Sequence, residues 1–299
     1  MKTDSRASTA LAWLSELLLR TVPGEQIPSR QELASQADVG VGTLARAMDT
    51  LTEAGAVALN SVQRAGTSVE RIDYPQLWRL AGRSILRGQL PMNLSVQMEA
   101  VEVAIGQALT ASDLDVALVY REGAARRMRA VENGLADFAV VSTKALNGYD
   151  RSLRPAYCFG PGSYYGDSRL YLLRRTDGAP VRRVGVAEDS PDHLTMVTAT
   201  FPSAEIVVAP FRLIPLMIID GRLDATIWFG GSALPVEYVN LLRTEVLKAN
   251  IGGLLAARAV VAAPGGGAVE HLFGQLDDEL LSTTYSAVLE SGAVHAGRA

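Results

Sequence analysis

Two stretches in the second half of the chain obey one rule. "ENGLADFAVV" (132–141) and "IDGRLDATIW" (219–228) each read as a helix end, then Gly-x-x-Asp, then an apolar run of strand character. Gly134 and Gly221 suit the left-handed cap that ends a helix, and the short loop carries Asp137 or Asp224 into the next strand. Strands and helices alternate around both. "LPMNLS" reads as a strand, "MEAVEVAIGQALTA" as a helix, "DVALVY" as a strand, "AARRMRAVENG" as a helix and "ADFAVVST" as a strand. Later, "RRVGVAE", "AEIVVAPF" and "LDATIWFG" read as strands separated by the helices "SPDHLTMVTATF" and "LIPLMIIDG". Such alternation predicts α/β units with a parallel or mixed sheet covered on both faces. Its repetition predicts two lobes hinged around a cleft. "DELLSTTYSAVLESG" is expected as a closing helix.

The chain has 299 residues, 48% of them hydrophobic, which predicts two or three folding units with large cores. No run is long enough to span a bilayer: "LIPLMII" (213–219) is broken by Pro215 and followed by Asp220, so it reads as a buried helix. "LAWLSELLL" carries Glu16 and leads to Arg20 and Pro23 without a small-residue cleavage site, so no export signal is expected. With one cysteine, Cys158, there is no internal disulfide, and a reducing cytoplasm fits. His193, His271 and His295 stand far apart, so neither a metal site nor a cofactor is expected. The formal charge of −4 excludes a polybasic coat but not a locally basic surface.

The first seventy residues differ in kind. Leu11, Leu14 and Leu18, with Trp13 and Leu17, form the stripe of an amphipathic helix over 8–20. Ser29, with Glu32 three residues on, is a capping box for the helix "RQELASQA". After "DVG" a second helix runs from about 42 to 54 with Leu44, Ala47, Met48 and Leu51 inward. "AVALN" and "GTSVE" then read as two short strands around a turn at 61–65. Helix, helix-turn-helix, hairpin is the order of a winged helix, whose second helix of the pair enters the major groove. Pro28-Ser29, Leu33-Ala34, Val39-Gly40, Thr43, Arg46-Ala47-Met48, Leu51, Gly55 and Gly66-Thr67 resemble the pattern of GntR-type regulators. Where those usually open the recognition helix with Ser-Arg, this chain has Val41-Gly42. Through Glu70 the acidic residues outnumber the basic ones by two, so non-specific DNA affinity is expected to be modest and salt-sensitive. The resemblance implies DNA contacts from Ser29, Arg30, Val41, Gly42, Thr43, Arg46, Arg64, Gly66 and Thr67. Arg30, Arg46 and Arg64 stand where a DNA reader needs cations.

A connector, "RIDYPQLWRLAGRSILRGQLP", follows with a short helix near 76–81, and its Arg79, Arg83 and Arg87 read as a solvated face. The two lobes resemble the type II periplasmic-binding-protein fold. Connector and lobes together resemble the YhfZ family of GntR-like regulators. The expected division is 1–70 winged helix, 71–90 connector and 91–299 two-lobed effector-binding domain.

Ligands of open α/β sheets bind at the carboxyl ends of strands, beside helix N-termini. That rule selects Asn93, Ser95, Gln97, Tyr120, Arg121, Ser142 and Thr143 in one lobe, and Glu188, Ser190, Asp192, Arg212 and Trp228 in the other. Ser190 and Asp192 are also ordinary N-caps, and Trp228 also reads as core. Arg121 is expected to anchor an anionic ligand. Asp189 and His193 read as a cap and a surface residue, and "PGGGA" (264–268) as a loop. No catalytic triad, zinc motif or P-loop is present. These features predict a cytoplasmic, non-enzymatic regulator that binds an operator as a homodimer and senses a small polar metabolite. The alternative is an enzyme or carrier on the same fold, its winged helix serving dimer assembly.

Overall fold

The structure is a computed structural model and describes residues 3–62, 66–83, 85–92, 95–149, 152–165, 170–229, 234–247 and 251–296. The chain divides into two compact units. The first comprises 1–86, 109–116 and 266–276, and the second comprises 87–108, 117–265 and 277–299.

The first unit opens with α1 (Thr3–Leu18), β1 (Gln26–Ile27), α2 (Arg30–Gln36) and α3 (Val41–Glu53), followed by β2 (Val57–Val62), β3 (Gly66–Ile72) and α4 (Tyr74–Leu80). The capping box forms as expected: Ser29 N–H donates to Glu32 Oε2 at 2.8 Å and Glu32 N–H donates to Ser29 Oγ at 3.3 Å. Leu44, Ala47, Met48 and Leu51 are buried on α3, which packs against α1 and α2. The three strands form an antiparallel sheet in the order β1-β3-β2. Arg79 is exposed as expected, whereas Arg83 is half-buried. Arg79 Nη1 donates to the carbonyls of Ser112 and Asp113, while Arg83 lies over the Trp78 ring and pairs with Glu16 at 2.5 and 2.8 Å.

The second unit carries two five-stranded sheets. In chain order its elements are β4 (Ile85–Leu90), α5 (Val96–Ala111), β5 (Asp115–Tyr120), α6 (Ala124–Glu132), β6 (Phe138–Ser142), α7 (Thr143–Asn147) and β7 (Leu153–Cys158). Then come β8 (Leu170–Arg175), β9 (Arg183–Ala187), α8 (Pro191–Thr200), β10 (Glu205–Ala209), α9 (Ile214–Ile219), β11 (Ala225–Phe229), α10 (Val236–Val239) and β12 (Leu242–Val246). β13 (Ala259–Pro264), α11 (Ala268–Phe273) and α12 (Asp278–Ala296) finish the chain's order, with α11 belonging to the first unit. The sheets run β5-β4-β6-β13-β7 and β10-β9-β11-β8-β12. Both therefore follow one scheme: second strand, first, third, an antiparallel return, fourth. Each sheet is mixed, because β13 runs antiparallel to β6 and β7, and β8 antiparallel to β11 and β12.

The two Gly-x-x-Asp stretches are the matching joints of these lobes. Gly134 (φ +68°) and Gly221 (φ +71°) follow α6 and α9 in the left-handed region. Asp137 N–H donates to Arg87 O and Asp224 N–H to Arg183 O, both at 2.8 Å. Each carboxylate accepts in return from the same residue's backbone N–H, also at 2.8 Å. The aspartate thus ties the start of each lobe's third strand to its first. Arg87, expected on a solvated face, adds its guanidinium to Asp137 at 2.9 and 3.1 Å.

The first strand departs from expectation. It occupies Ile85–Leu90 rather than "LPMNLS", within the stretch assigned to the connector. Gly88 disguises it: a Cβ there would sit 2.2 Å from the Phe138 ring, so the sheet needs glycine where strand propensity disfavours it. Among the described residues no helix is long and apolar enough to cross a membrane.

Candidate functional site

The chain passes between the lobes twice, from β7 to β8 and from β12 to β13, and the two crossings are bonded to each other. Phe159 N–H donates to Ala259 O at 2.9 Å, Tyr164 N–H to Ala257 O at 3.2 Å, and Ala259 N–H to Ser163 Oγ at 2.8 Å. Beside them lies a cavity of about 90 Å³ with walls from both lobes. One lobe and the first crossing supply Gly123, Arg127, Tyr164 and Tyr165 among others, and the second lobe supplies Ser190, Asp192, Phe211 and Phe229.

Arg127 is 2% exposed. Its guanidinium donates from Nε to Val140 O (3.1 Å), from Nη1 to Arg121 O (2.7 Å) and from Nη2 to Tyr164 Oη (2.9 Å). No carboxylate lies within ion-pairing distance among the described residues. Asp192 is 3% exposed and belongs to the other lobe. Its Oδ2 accepts from Ser142 Oγ (2.5 Å) and Tyr165 Oη (2.8 Å), whereas Oδ1 has no hydrogen-bond partner. Burial pushes its carboxyl above the ordinary range, against the pull of those two hydroxyls.

Around the rim the lobes are held together. Arg126 pairs with Glu188 (2.8 Å) and Asp189 (3.1 Å), Arg129 with Asp189 (2.7 Å), and Arg212 with Glu122 (3.1 Å). Burial works to raise the Asp189 carboxyl, but Arg129 and Arg126 hold it below the usual range. Backbone approaches backbone here as well, since Ala125 N–H donates to Asp189 O at 3.0 Å. Gly123 (φ +80°) permits this, because a Cβ there would lie 2.7 Å from Asp189 Cβ.

His193, expected at the surface, is fully buried. Its Nδ1 accepts from Ala187 N–H at 2.8 Å, and Nε2 lies 3.3 Å from Thr226 Oγ1, which donates to Gly185 O. That arrangement fits the neutral ring with its proton on Nε2, and burial lowers the pKa to about 4. Its place on α8 explains the difference: His193 lies on the inward stripe with Met196 and Val197.

Of the ligand residues selected from sequence, Ser190 and Asp192 line the cavity, and Ser142 reaches it through Asp192. The others sit elsewhere. Ser95 caps α5 by accepting from Met98 N–H. Gln97 is half-buried on α5, outside the cavity lining. Tyr120 is exposed and bonds Glu102. Thr143 bonds the backbone of Arg258. Glu188 and Arg212 hold the rim. Trp228 is buried and stacks on Phe211 at 4.2 Å between ring centroids, so Phe211 rather than Trp228 faces the cavity. Arg121, the expected anion anchor, is half-buried outside the lining and gives its carbonyl to Arg127. Asn93 lies outside the described residues.

The residues that the strand-end rule misses carry one legible signal. On α6, Ala124, Arg127, Met128 and Val131 share a helical face, and an arginine on an apolar stripe is an anomaly that marks a buried charge.

On the winged helix, Ser29, Arg30, Val41, Gly42, Arg46 and Gly66 are exposed, and Thr43 and Thr67 half-exposed. Arg46 Nε donates to Gly42 O at 3.3 Å, along the open face of α3. Thr67 Oγ1 and Ser61 Oγ are 3.0 Å apart across the wing. Arg64 lies outside the described residues.

The chain combines a winged helix-turn-helix DNA-binding domain with a two-lobed domain of type II periplasmic-binding-protein architecture. Residues 10–69 match the bacterial regulatory proteins of the gntR family, and residues 73–293 match the YhfZ C-terminal domain. The chain belongs to the YhfZ family. It is 26% identical over 227 residues to YhfZ of Escherichia coli (strain K12), spanning 75% of this chain and 74% of that one. The crystal structure of YhfZ from Shigella flexneri is similar with a TM-score of 0.56 at 23% identity, covering 74% of this chain and 96% of that one. The periplasmic VFT2 domain of Bordetella pertussis BvgS is similar with a TM-score of 0.46 at 16% identity, covering 71% of this chain and 96% of that domain.

Proposed function

We propose that this chain is a transcription regulator whose winged helices bind an operator as a homodimer and whose lobes close on a small polar effector. The functional division follows 1–70 and 91–299, with the intervening 71–90 stretch ending in β4 of the lobe sheet. The observation that carries the reading is a cavity walled by both lobes, holding a buried arginine from one and a buried aspartate from the other, in a chain that also carries a gntR-type DNA-binding domain. A ligand seated there contacts both lobes only when they are together, which is the differential affinity that moves an open–closed equilibrium. A tenfold change in operator affinity requires about 1.4 kcal/mol of coupling. DNA contacts are assigned to Arg30, Arg46 and Arg64 with the neighbouring Ser29, Val41, Gly42, Thr43, Gly66 and Thr67.

The test uses the rim rather than the ligand. The double variant Arg126→Ala, Arg129→Ala removes the pairs with Glu188 and Asp189 that hold the lobes together. Gel-shift titration against DNA upstream of the chain's own gene, at stated salt, should show an operator affinity changed by several-fold. Unaltered affinity, with lobe opening verified by X-ray scattering, refutes control of DNA binding by lobe closure.

A further inference from the structure

Arg127 and Asp192 say more about the effector than its polarity. A guanidinium carries five N–H donors, and three on Arg127 are used, on two carbonyls and a phenol. No carboxylate pairs with it directly among the described residues, and Asp192 across the cavity acts on it only through space. A buried cation without a direct anionic partner is costly, and a bound anion offsets that cost. Asp192 presents the reverse: Oδ2 is saturated by two hydroxyl donors, and Oδ1 is buried without a donor. An acceptor in that condition is destabilising unless something donates to it. Both side chains line one cavity, one from each lobe.

We propose that the cavity takes a small zwitterion, with its anionic group against Arg127 and a protonated amine donating to Asp192 Oδ1. This rests on the reading of the cleft as an effector site. Size narrows the class. At about 90 Å³ the cavity takes a small ligand rather than an extended one. Phe211 and Phe229 wall the second-lobe side, leaving little room for a substituent. The smallest α-amino acids fit all three demands: an anion, an ammonium one carbon away, and almost no side chain. Each end is held by a different lobe, so neither lobe alone satisfies the ligand, and closure follows from its charge pattern.

The experiment is calorimetric titration and thermal shift on the full chain with glycine and L-alanine, against acetate and propionate as anion-only probes and methylamine as a cation-only probe. Glycine or alanine should bind, with the single-charge probes at least tenfold weaker. Asp192→Asn keeps the shape and can still accept from Ser142 and Tyr165, but turns an N–H₂ toward the amine. It should weaken the zwitterion roughly 10- to 100-fold and leave acetate unaffected. Ser142→Ala, which leaves Oδ1 in place, should weaken it far less, and an unchanged circular dichroism spectrum verifies folding of both variants. If acetate or propionate binds as well as glycine, or if Asp192→Asn leaves glycine binding intact, the zwitterion assignment is overturned while the cleft reading stands. If no probe binds, the assignment is likewise overturned. The cleft reading is judged separately by the operator affinity of the Arg126, Arg129 variant.

Discussion

Gly123→Ala adds one methyl group at the seam between the lobes. Two costs follow, and the structure separates them. The backbone at Gly123 has φ +80°, which an alanine adopts at roughly 1–2 kcal/mol whatever the lobes do. The new Cβ would also lie 2.7 Å from Asp189 Cβ and 3.0 Å from Glu188 O, contacts that exist only with the lobes together. Overpacking of that kind costs about 1–3 kcal/mol, and it falls on the closed form alone. The ratio of closed to open molecules should therefore drop roughly 5- to 150-fold. Gly134→Ala is the matched control: its φ is +68°, and nothing lies within 4 Å of the added Cβ. In urea Gly134→Ala should lose only the backbone cost, and Gly123→Ala that cost plus the part of the overpacking that opening does not relieve. Only Gly123→Ala should enlarge the radius of gyration and speed amide exchange at Ala125, whose N–H is bonded to Asp189 O across the seam. Equal scattering and equal exchange in the two variants would refute the view that this seam limits closure.

Arg46→Ala should cost on the order of 1–3 kcal/mol of operator binding if the guanidinium pairs with a guanine, and unchanged gel-shift titration with intact folding removes Arg46 from the interface. Ser29→Ala removes the hydroxyl that accepts from Glu32 N–H, leaves the backbone N–H bond to Glu32, and should lower the stability of the winged helix by about 1 kcal/mol in thermal melts; no change would mean that solvent caps α2 equally well. His193 has a folded pKa of about 4 against 6.5 unfolded, so between those values the unfolded chain binds more protons. Stability should then fall as pH drops through that window, by up to about 1.4 kcal/mol per unit, partly offset by the raised Asp192 carboxyl. His193→Gln should flatten this acid limb in chemical denaturation, and an unchanged limb assigns it to other groups. Sedimentation should show a dimer at micromolar concentration, with two half-sites protected in footprinting; a monomer protecting one half-site contradicts the dimer.

The winged helix is legible in the sequence because each of its signals is local: a capping box, an apolar stripe and turn glycines lie within a few residues of the contacts they make. The paired joints at Gly134 and Gly221 are legible for the same reason. The antiparallel strands β8 and β13 are not, because their partners are set by the return of the chain from another lobe. Gly88 hides a central strand by serving the Phe138 ring instead of strand propensity. The cleft is half legible. The strand-end rule finds Ser190 and Asp192 but selects Arg121, since it ranks residues by chain position. The direction of a side chain on α6, six residues further on, decides which arginine is buried. His193 escapes the rule because a polar residue near an N-cap is ordinarily solvated, and the inward stripe of α8 overrides that tendency.

Helix α11 joins the first unit from far along the chain. It packs on α4, where Gln275 bonds both Ile72 O (2.7 Å) and Tyr74 N–H (2.9 Å), and His271 Nδ1 meets Tyr74 Oη at 3.1 Å. Tyr74 in turn donates to Thr21 O at 2.8 Å. This threading bears on the order of events during synthesis. Chains emerge at roughly 5–20 residues per second, and N-terminal domains generally fold first. Here the platform around Tyr74 cannot close until Gln275 has been made, by which time every strand of both sheets of the second unit has been synthesised. A nascent chain therefore acquires its complete winged-helix unit only after the strands of both lobes exist.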